Sequence, residues 1–150
     1  MSTETDAELA IRLAVEAGQL LTAVRHELSS RGAASWQIMD TGDMTSHRFL
    51  VDELATARPD DAVLSEEGVE DPRRFITDRV WIVDPLDGTT EFGEYGRVDW
   101  AVHVALWEDA RFSAGAVSLP ALRTVFATDP APELVPVQRE RPRLVTSRTR

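Results

Sequence analysis

Apolar residues recur at three- and four-residue spacings in the first part of the chain, which predicts an amphipathic helix. Thr5 and Glu8 have the form of a capping box at its start, and Ser29–Gly32 contains residues that commonly end a helix. Polar residues such as Arg12 and Arg25 fall on the opposite side, which we expect to face solvent. The predicted buried stripe consists of Leu9, Leu13, Ala17, Leu20, Val24 and Leu28.

A second helical pattern runs from about Met44 to Arg58 and is closed by Pro59. Residues 31–42 before it are rich in turn-forming residues and predict a connection. Asp43 would then be the N-cap of the helix, a structural role that is compatible with a functional one. The predicted buried face of this helix consists of Phe49, Leu50, Leu54 and Ala57.

Two short strand patterns each end on acidic residues. The run within residues 60–68 ends on Glu66 and Glu67, and the β-branched run Val80–Val83 leads directly into Asp84-Pro85-Leu86-Asp87-Gly88-Thr89. Proline has no N–H for a sheet ladder, so we expect the chain to turn after Asp84. The glycine that follows permits a tight bend or the close approach of a ligand.

Three further strands with short connections predict an antiparallel meander: Trp100–Trp107, Ser113–Leu119 and Thr124–Ala127. In the first of these, both sets of alternating positions are largely apolar, which predicts that both faces are covered. His103 lies inside that strand and is interpreted as a packed strand histidine. The order of helices, acid-bearing strands and meander predicts an α+β fold with two helices on a largely antiparallel sheet.

The sequence predicts a first domain over residues 1–130. Residues 131–142 are rich in proline and charge and are interpreted as a linker or surface excursion. Residues 143–150 would begin one more strand, the start of a C-terminal domain that is absent here, so we expect the chain to be truncated.

Composition narrows the function classes. There is no cysteine and there are three histidines, which excludes thiolate metal sites and disfavours a histidine-rich zinc site. The formal net charge of −10 argues against a nucleic acid polymer as partner. No apolar run is long enough to span a bilayer, and the acidic N-terminus lacks the pattern of a signal peptide, so the cytoplasm is expected.

Carboxylates held at the end of a rigid strand suit hard divalent cations, and the turn that follows can present N–H groups to a phosphate. A structural interpretation competes with this one, because aspartate is a common turn residue and a Glu-Glu pair is usually solvated surface. Glu66 follows a different predicted strand from the one that carries Asp84 and Asp87, which favours a metal site over turn formation for these two aspartates. For Glu67 and Asp43 the two interpretations have equal weight.

The segments Val63–Glu67 and Trp81–Thr89 resemble the paired signatures of the inositol monophosphatase superfamily of magnesium-dependent, lithium-sensitive phosphatases. Gly42-Asp43 lies where that family has an aspartate opening the second helix, although the usual Val-Thr before it is missing. Within the superfamily, Glu91-Phe92 and Gly96–Trp107 look most like the CysQ-type bisphosphate nucleotidases. The resemblance implies the N-terminal part of a layered α/β/α/β/α sugar-phosphatase fold.

The resemblance also implies a site. Glu66, Asp84 and the Leu86 carbonyl would ligate one Mg²⁺, and Asp84 and Asp87 would bind a second, in a centre of two or three ions. Thr89, with Glu67 or Asp43, would position the attacking water. Phosphate oxygens would be held by Asp87 through its metal ion and by the N–H groups of Gly88 and Thr89.

The implied reaction removes the 3′-phosphate of adenosine 3′,5′-bisphosphate, or of its 3′-phosphosulfate analogue, in sulfur assimilation. The alternatives are an inositol or sugar phosphate phosphatase with the same metal site and a non-catalytic Mg²⁺-binding fragment. The family supplies one more metal-binding aspartate from a Trp-Asp motif, which this chain lacks. We therefore expect weak metal binding and little hydrolysis by the 150 residues alone, and a homodimer is possible by family resemblance.

Overall fold

The computed structural model describes residues 4–69, 71–136 and 141. The strand expected at residues 143–147 therefore lies outside the described residues. Short 3-10 turns occur at Pro72–Phe75 and Pro120–Leu122. The helices and strands are α1 (Asp6–Ser30), α2 (Ser35–Ala57), β1 (Ala62–Ser65), β2 (Arg79–Asp87), α3 (Thr89–Gly93), β3 (Ala101–Glu108), β4 (Arg111–Leu119) and β5 (Thr124–Ala127).

The five strands form one sheet in the order β1-β2-β3-β4-β5. β1 is parallel to β2, and every other neighbouring pair is antiparallel. Helix α1 packs on β3 and β4, and α2 packs on β2. The expected α+β arrangement of two long helices on a largely antiparallel sheet is confirmed. Among the described residues, no helix combines the length and apolarity needed to cross a bilayer.

Helix α1 begins at the predicted capping box: the Glu8 N–H donates to Thr5 Oγ1 at 3.2 Å, and the Thr5 N–H donates to Glu8 Oε2 at 2.8 Å. The predicted stripe is correct through Ala17, but Leu21 is fully buried where Leu20 was expected. The buried face also includes Ala14 and Gly18, and Leu21 follows them at helical spacing, so the face turns toward Leu21 and away from Leu20. A Cβ on Gly18 would come within 2.5 Å of Pro120 Cγ.

Arg25 does not face solvent as predicted. Its guanidinium lies over the rings of Phe92 and Trp100, at 5.5 and 5.8 Å from their centroids. It also donates to the carbonyl oxygens of Arg97 at 2.9 Å and Glu91 at 3.3 Å. The Arg25 side chain, which belongs to α1, therefore anchors the segment that contains α3.

Helix α2 begins at Ser35, so the predicted start at Met44 is wrong, and most of residues 31–42 are helical. The reason is that the four-residue spacing of buried positions continues upstream, and Gly42 fits against Phe92. A Cβ at Gly42 would lie 2.5 Å from that ring. Asp43 is consequently a mid-helix residue and not the N-cap. The buried positions are Ile38, Gly42, Ser46, Leu50 and Leu54.

Strand β2 does not stop at Asp84 but continues to Asp87, with a shift in its register against β3 between these two residues. Proline is tolerated at such an irregularity, where ladder hydrogen bonds are interrupted. The Leu86 N–H instead donates to Asp84 Oδ1 at 3.2 Å. The bend comes at Gly88, which has φ of 78° and whose Cβ would lie 2.8 Å from the Asp99 carbonyl oxygen.

The predicted meander is confirmed, and the β3–β4 connection carries positive φ values of 48° and 60° at Asp109 and Ala110. The expectation that β3 is covered on both faces is wrong for the described residues. Val102 and Val104, with the neighbouring Leu106, are buried beneath the helices, whereas Trp107 on the other face remains 37 % exposed.

Candidate metal and phosphate site

Five acidic residues, carried by α2, β2 and the end of β1, lie at one edge of the sheet. Because β1 and β2 are parallel, with Ser65 opposite Val83, their carboxyl ends deliver their acidic residues to the same place. The Glu66 N–H continues this ladder by donating to the Val83 carbonyl oxygen at 3.3 Å. Helix α2 brings the fifth acid from the side. The group consists of Asp43, Glu66, Glu67, Asp84 and Asp87.

The carboxylates of this group strongly influence one another. Burial raises the pKa of Asp43 to about 7, with further contributions from the negative charges of Glu67 and Asp84. Burial likewise raises the pKa of Asp84 to about 6, and the charges of Glu66 and Asp87 add to the effect. Charge repulsion and burial both disfavour the ionised forms, so a bound cation would stabilise them.

Two residues of α2 fix the helix to the acid-bearing strands, one turn beyond Asp43. The fully buried Ser46 donates its hydroxyl to the Pro85 carbonyl oxygen at 2.7 Å. His47 Nδ1 lies 2.8 Å from Ser65 Oγ, immediately before the glutamate pair. The sequence interpretation missed both residues, although their spacing of three and four residues from Asp43 places them on one side of a helix.

The residues expected to hold phosphate lie at the start of α3. Thr89 donates its hydroxyl to the Leu86 carbonyl oxygen at 3.0 Å, so these two predicted site residues are in contact. The Phe92 N–H donates to the Gly88 carbonyl oxygen at 2.9 Å, which forms the first turn of α3. The structure therefore places Leu86, Gly88 and Thr89 beside the acidic group.

His103 corrects the sequence interpretation. It lies directly opposite Asp84 in the β2–β3 pairing, and its side chain is 40 % exposed and not packed in the core. Its Nε2 lies 3.2 Å from Asp87 Oδ2. The contact is diagonal, because Asp87 is opposite Ala101, which lies on the same face of β3 as His103.

The donor set fits a hard divalent cation by its chemistry. Magnesium takes oxygen ligands from few carboxylates and retains several waters, and the acidic group supplies mutually repelling carboxylate oxygens. Within residues 4–69, 71–136 and 141, however, no three histidine or carboxylate side chains converge into a ready metal-binding group. The predicted ligands therefore lie at one edge of the sheet, but their side chains do not surround a common metal position.

Comparison with known proteins identifies a family. Residues 2–130 match the profile of the Inositol monophosphatase family. The 3′-phosphoadenosine 5′-phosphate phosphatase of Mycobacterium leprae is 46 % identical over 126 residues, covering 78 % of this chain and 46 % of that protein. The inositol-1-monophosphatase of Mycobacterium bovis is 41 % identical over 88 residues, covering 57 % of this chain and 30 % of that protein.

Solved structures support the same fold. Mycobacterium tuberculosis SuhB superposes with a TM-score of 0.65 at 33 % identity, covering 81 % of this chain and 42 % of that one. The chain therefore spans about half the length of the relatives that it matches.

Proposed function

The chain belongs to the inositol monophosphatase family, and from this we propose that it carries the metal-binding half of a Mg²⁺-dependent phosphomonoesterase. The observation that supports this proposal best is that five acidic residues from α2, β2 and the end of β1 lie at one sheet edge. Burial, and after it the negative charges of neighbouring members of the group, raise the pKa values of Asp43 and Asp84, which supports a shared site. Such perturbed groups are typical of functional sites.

Metal binding is assigned to the strand ends. Glu66, Asp84 and Asp87 would provide carboxylate oxygens, and the Leu86 carbonyl would complete the ligand set. When bound, magnesium supplies charge neutralisation and activation of water for an in-line displacement. The Leu86 carbonyl oxygen already accepts the Thr89 hydroxyl, so the ligand and the proposed water-positioning residue are held together.

Positioning of the attacking water is assigned to Thr89, with Glu67 or Asp43. Burial raises the pKa of Asp43 to about 7 in the metal-free site, and a bound cation would favour the ionised carboxylate, which can accept a hydrogen bond from the attacking water. Ser46 and His47 hold its helix against β2 and β1, which limits where the carboxylate can move. The N–H groups of Gly88 and Thr89, together with Asp87 through its metal ion, would bind the phosphate oxygens.

We propose adenosine 3′,5′-bisphosphate as substrate, cleaved at the 3′-phosphate to give AMP, with the 3′-phosphosulfate analogue as a second one. The support is the 46 % identity to a relative named for that activity, over most of this chain. An inositol or sugar phosphate is the second candidate, supported by the 41 % identity to an inositol-1-monophosphatase over a shorter stretch. A role in sulfur assimilation and inhibition by Li⁺ belong to the same proposal.

Further parts of the proposal concern the chain as a whole. We propose that the protein acts in the cytoplasm and that it can form a homodimer. We also propose a first domain over residues 1–130, followed by a linker over residues 131–142. A non-catalytic Mg²⁺-binding chain is the third possibility, and hydrolysis would exclude it.

Asp84→Asn tests the metal site. Isothermal titration of Mg²⁺ into the wild-type chain should give a binding isotherm that the variant loses, because Asp84 lies between both proposed metal positions. Asp52→Asn, an exposed position elsewhere on α2, is the matched control and should bind as the wild type does. Equal Mg²⁺ affinity in the wild type and Asp84→Asn would refute the assignment.

Substrate choice is tested by phosphate release. The panel contains adenosine 3′,5′-bisphosphate, its phosphosulfate analogue, inositol 1-phosphate and fructose 1,6-bisphosphate. We expect any turnover by the chain, or by a version extended to the relatives' length, to favour the two nucleotides. A preference for inositol 1-phosphate would instead support the second candidate.

A further inference from the structure

We infer that His103 is a positioning residue for Asp87: it donates Nε2–H to one carboxylate oxygen and thereby leaves the other directed at the metal ion. This inference rests on the proposed function, because it concerns a ligand of the proposed metal site. Sequence resemblance assigned no role to this histidine.

The contact joins two different strands at the edge where the carboxylates meet. His103 Nε2 lies 3.2 Å from Asp87 Oδ2, and the two side chains are 40 % and 59 % exposed. Among the described residues, no other side chain hydrogen-bonds to the Asp87 carboxylate. Without His103, this carboxylate could turn freely toward solvent.

The histidine is well placed to hold a fixed position. It lies in β3, a strand paired on both sides, opposite Asp84 on β2 and Val117 on β4. Asp87, by contrast, follows the register shift at the end of β2, where the ladder is less regular. A donor on a regular strand can therefore orient a ligand on an irregular one.

The chemistry needs neither a charged imidazole nor a proton transfer. A neutral histidine carries one N–H donor, and the Nε2–H tautomer satisfies the contact. Groups that hydrogen-bond to metal ligands fix their orientation, and their loss typically costs 10- to 100-fold in metal affinity. We therefore expect an effect in that range.

The experiment titrates Mg²⁺ calorimetrically into the whole chain, comparing wild type with His103→Leu and His103→Gln. Leucine removes the donor, whereas glutamine places an amide N–H near the position of Nε2. We expect about tenfold weaker Mg²⁺ binding by His103→Leu and near wild-type binding by His103→Gln. His26→Leu is the matched control, since His26 lies on α1 next to Ser29 and Ser30, outside the acidic group.

Melting temperatures in EDTA accompany the titrations and separate a positioning effect from a loss of packing. Equal Mg²⁺ affinity in wild type and His103→Leu would overturn the inference while leaving the proposed metal site intact. Equal losses by His103→Leu and His103→Gln with lowered melting temperatures would also overturn it, because the hydrogen bond would then be irrelevant. A wild-type chain that does not bind Mg²⁺ would refute the proposed function, and the inference with it.

Discussion

Asp43 and Asp84 are less acidic than ordinary aspartates because they are half-buried among other carboxylates. Their pKa values are about 7 and about 6, raised by burial first and by neighbouring negative charges second. The folded chain therefore binds protons at these positions more tightly than the unfolded chain does. Their contribution to stability is fully present below pH 4, the region of an unperturbed aspartate, and is lost as the pH rises through 6 and 7.

The metal-free chain should consequently melt at a lower temperature at pH 8 than at pH 5.5, and Mg²⁺ should reverse this loss. Protons compete with the cation, so the rise in melting temperature on adding Mg²⁺ should be larger at pH 8 than at pH 5.5. Thermal denaturation at both pH values, with Mg²⁺ or with EDTA, gives the melting temperatures for this comparison. In Asp43→Asn/Asp84→Asn, the pH dependence in EDTA should become shallower, and an unchanged slope would contradict the stated cause.

Single residues were predictable where local chemistry decides their position. The sequence placed Glu66 and Asp87 correctly at strand ends, because glycine and β-branched runs mark those ends locally, whereas Asp84 lies inside β2 and not at its end as predicted. The contact between His103 and Asp87 was missed, since it depends on the register between two strands. The pattern of apolar and polar residues along one strand does not determine which residues of the neighbouring strand lie opposite.

At the scale of elements, a buried hydrogen bond from Ser46 to β2 contributes to holding α2 against the acid-bearing strands. Ser46→Ala removes the hydroxyl and leaves the Pro85 carbonyl oxygen without its partner at 2.7 Å. We expect a loss of about 1–3 kcal/mol in the free energy of unfolding, measured by urea denaturation. Ser30→Ala, at an exposed serine that bonds within its own helix, is the control and should cost less than about 0.5 kcal/mol.

The α3 segment depends on Arg25 in a similar way. This guanidinium lies over Phe92 and donates to the backbone carbonyl oxygens of Glu91, Glu94 and Arg97. It therefore fixes the C-terminal end of α3, the helix that begins at Thr89. Arg25→Met keeps much of the apolar stem but removes the donors. We expect it to lower the free energy of unfolding by about 2 kcal/mol or more, measured by urea denaturation.

The control for Arg25→Met is Arg31→Met, because the Arg31 side chain is 71 % exposed and pairs with Glu27 on the same helix. Exposed pairs of this kind contribute about 0.3–0.5 kcal/mol. Similar losses in the two variants would argue that Arg25 has no special role in holding α3.

The start of α2 shows why element boundaries are harder to predict than element types. The Asp-Thr-Gly-Asp sequence at residues 40–43 has the residues of a turn and a helix cap, and local propensity favoured that interpretation. Tertiary packing overrides it, because Gly42 gives room for the Phe92 ring. A partner fifty residues away thus decides whether the helix continues.

At the scale of the molecule, the five-stranded sheet is covered by helices on one face. On the other face Phe126 shares a register row with Val117 and His103, and it is 46 % exposed. Phe112 and Trp107 form an edge-to-face pair on the same sheet, with ring centroids 5.0 Å apart, and they are 60 % and 37 % exposed. Adjacent exposed aromatic residues of this kind mark a surface suited to contact with further protein.

Relatives about twice as long have more chain available for this surface and for the metal site, which leads to the last prediction. A chimera that joins this chain to the C-terminal half of the Mycobacterium leprae relative should bind less of a dye for exposed apolar surface than the chain alone.

The chimera should also hydrolyse adenosine 3′,5′-bisphosphate at least about 100-fold faster than the chain alone. The aspartate that the family resemblance implies would complete the ligands of the metal ion that we propose Asp87 binds. Loss even of a group that orients a metal ligand typically costs 10- to 100-fold in metal affinity or activity. The matched control is the same chimera carrying Asp84→Asn, which should keep the lowered dye binding but lose the hydrolysis. Equal turnover by the 150-residue chain and the chimera would show instead that the acidic group of this chain is sufficient on its own.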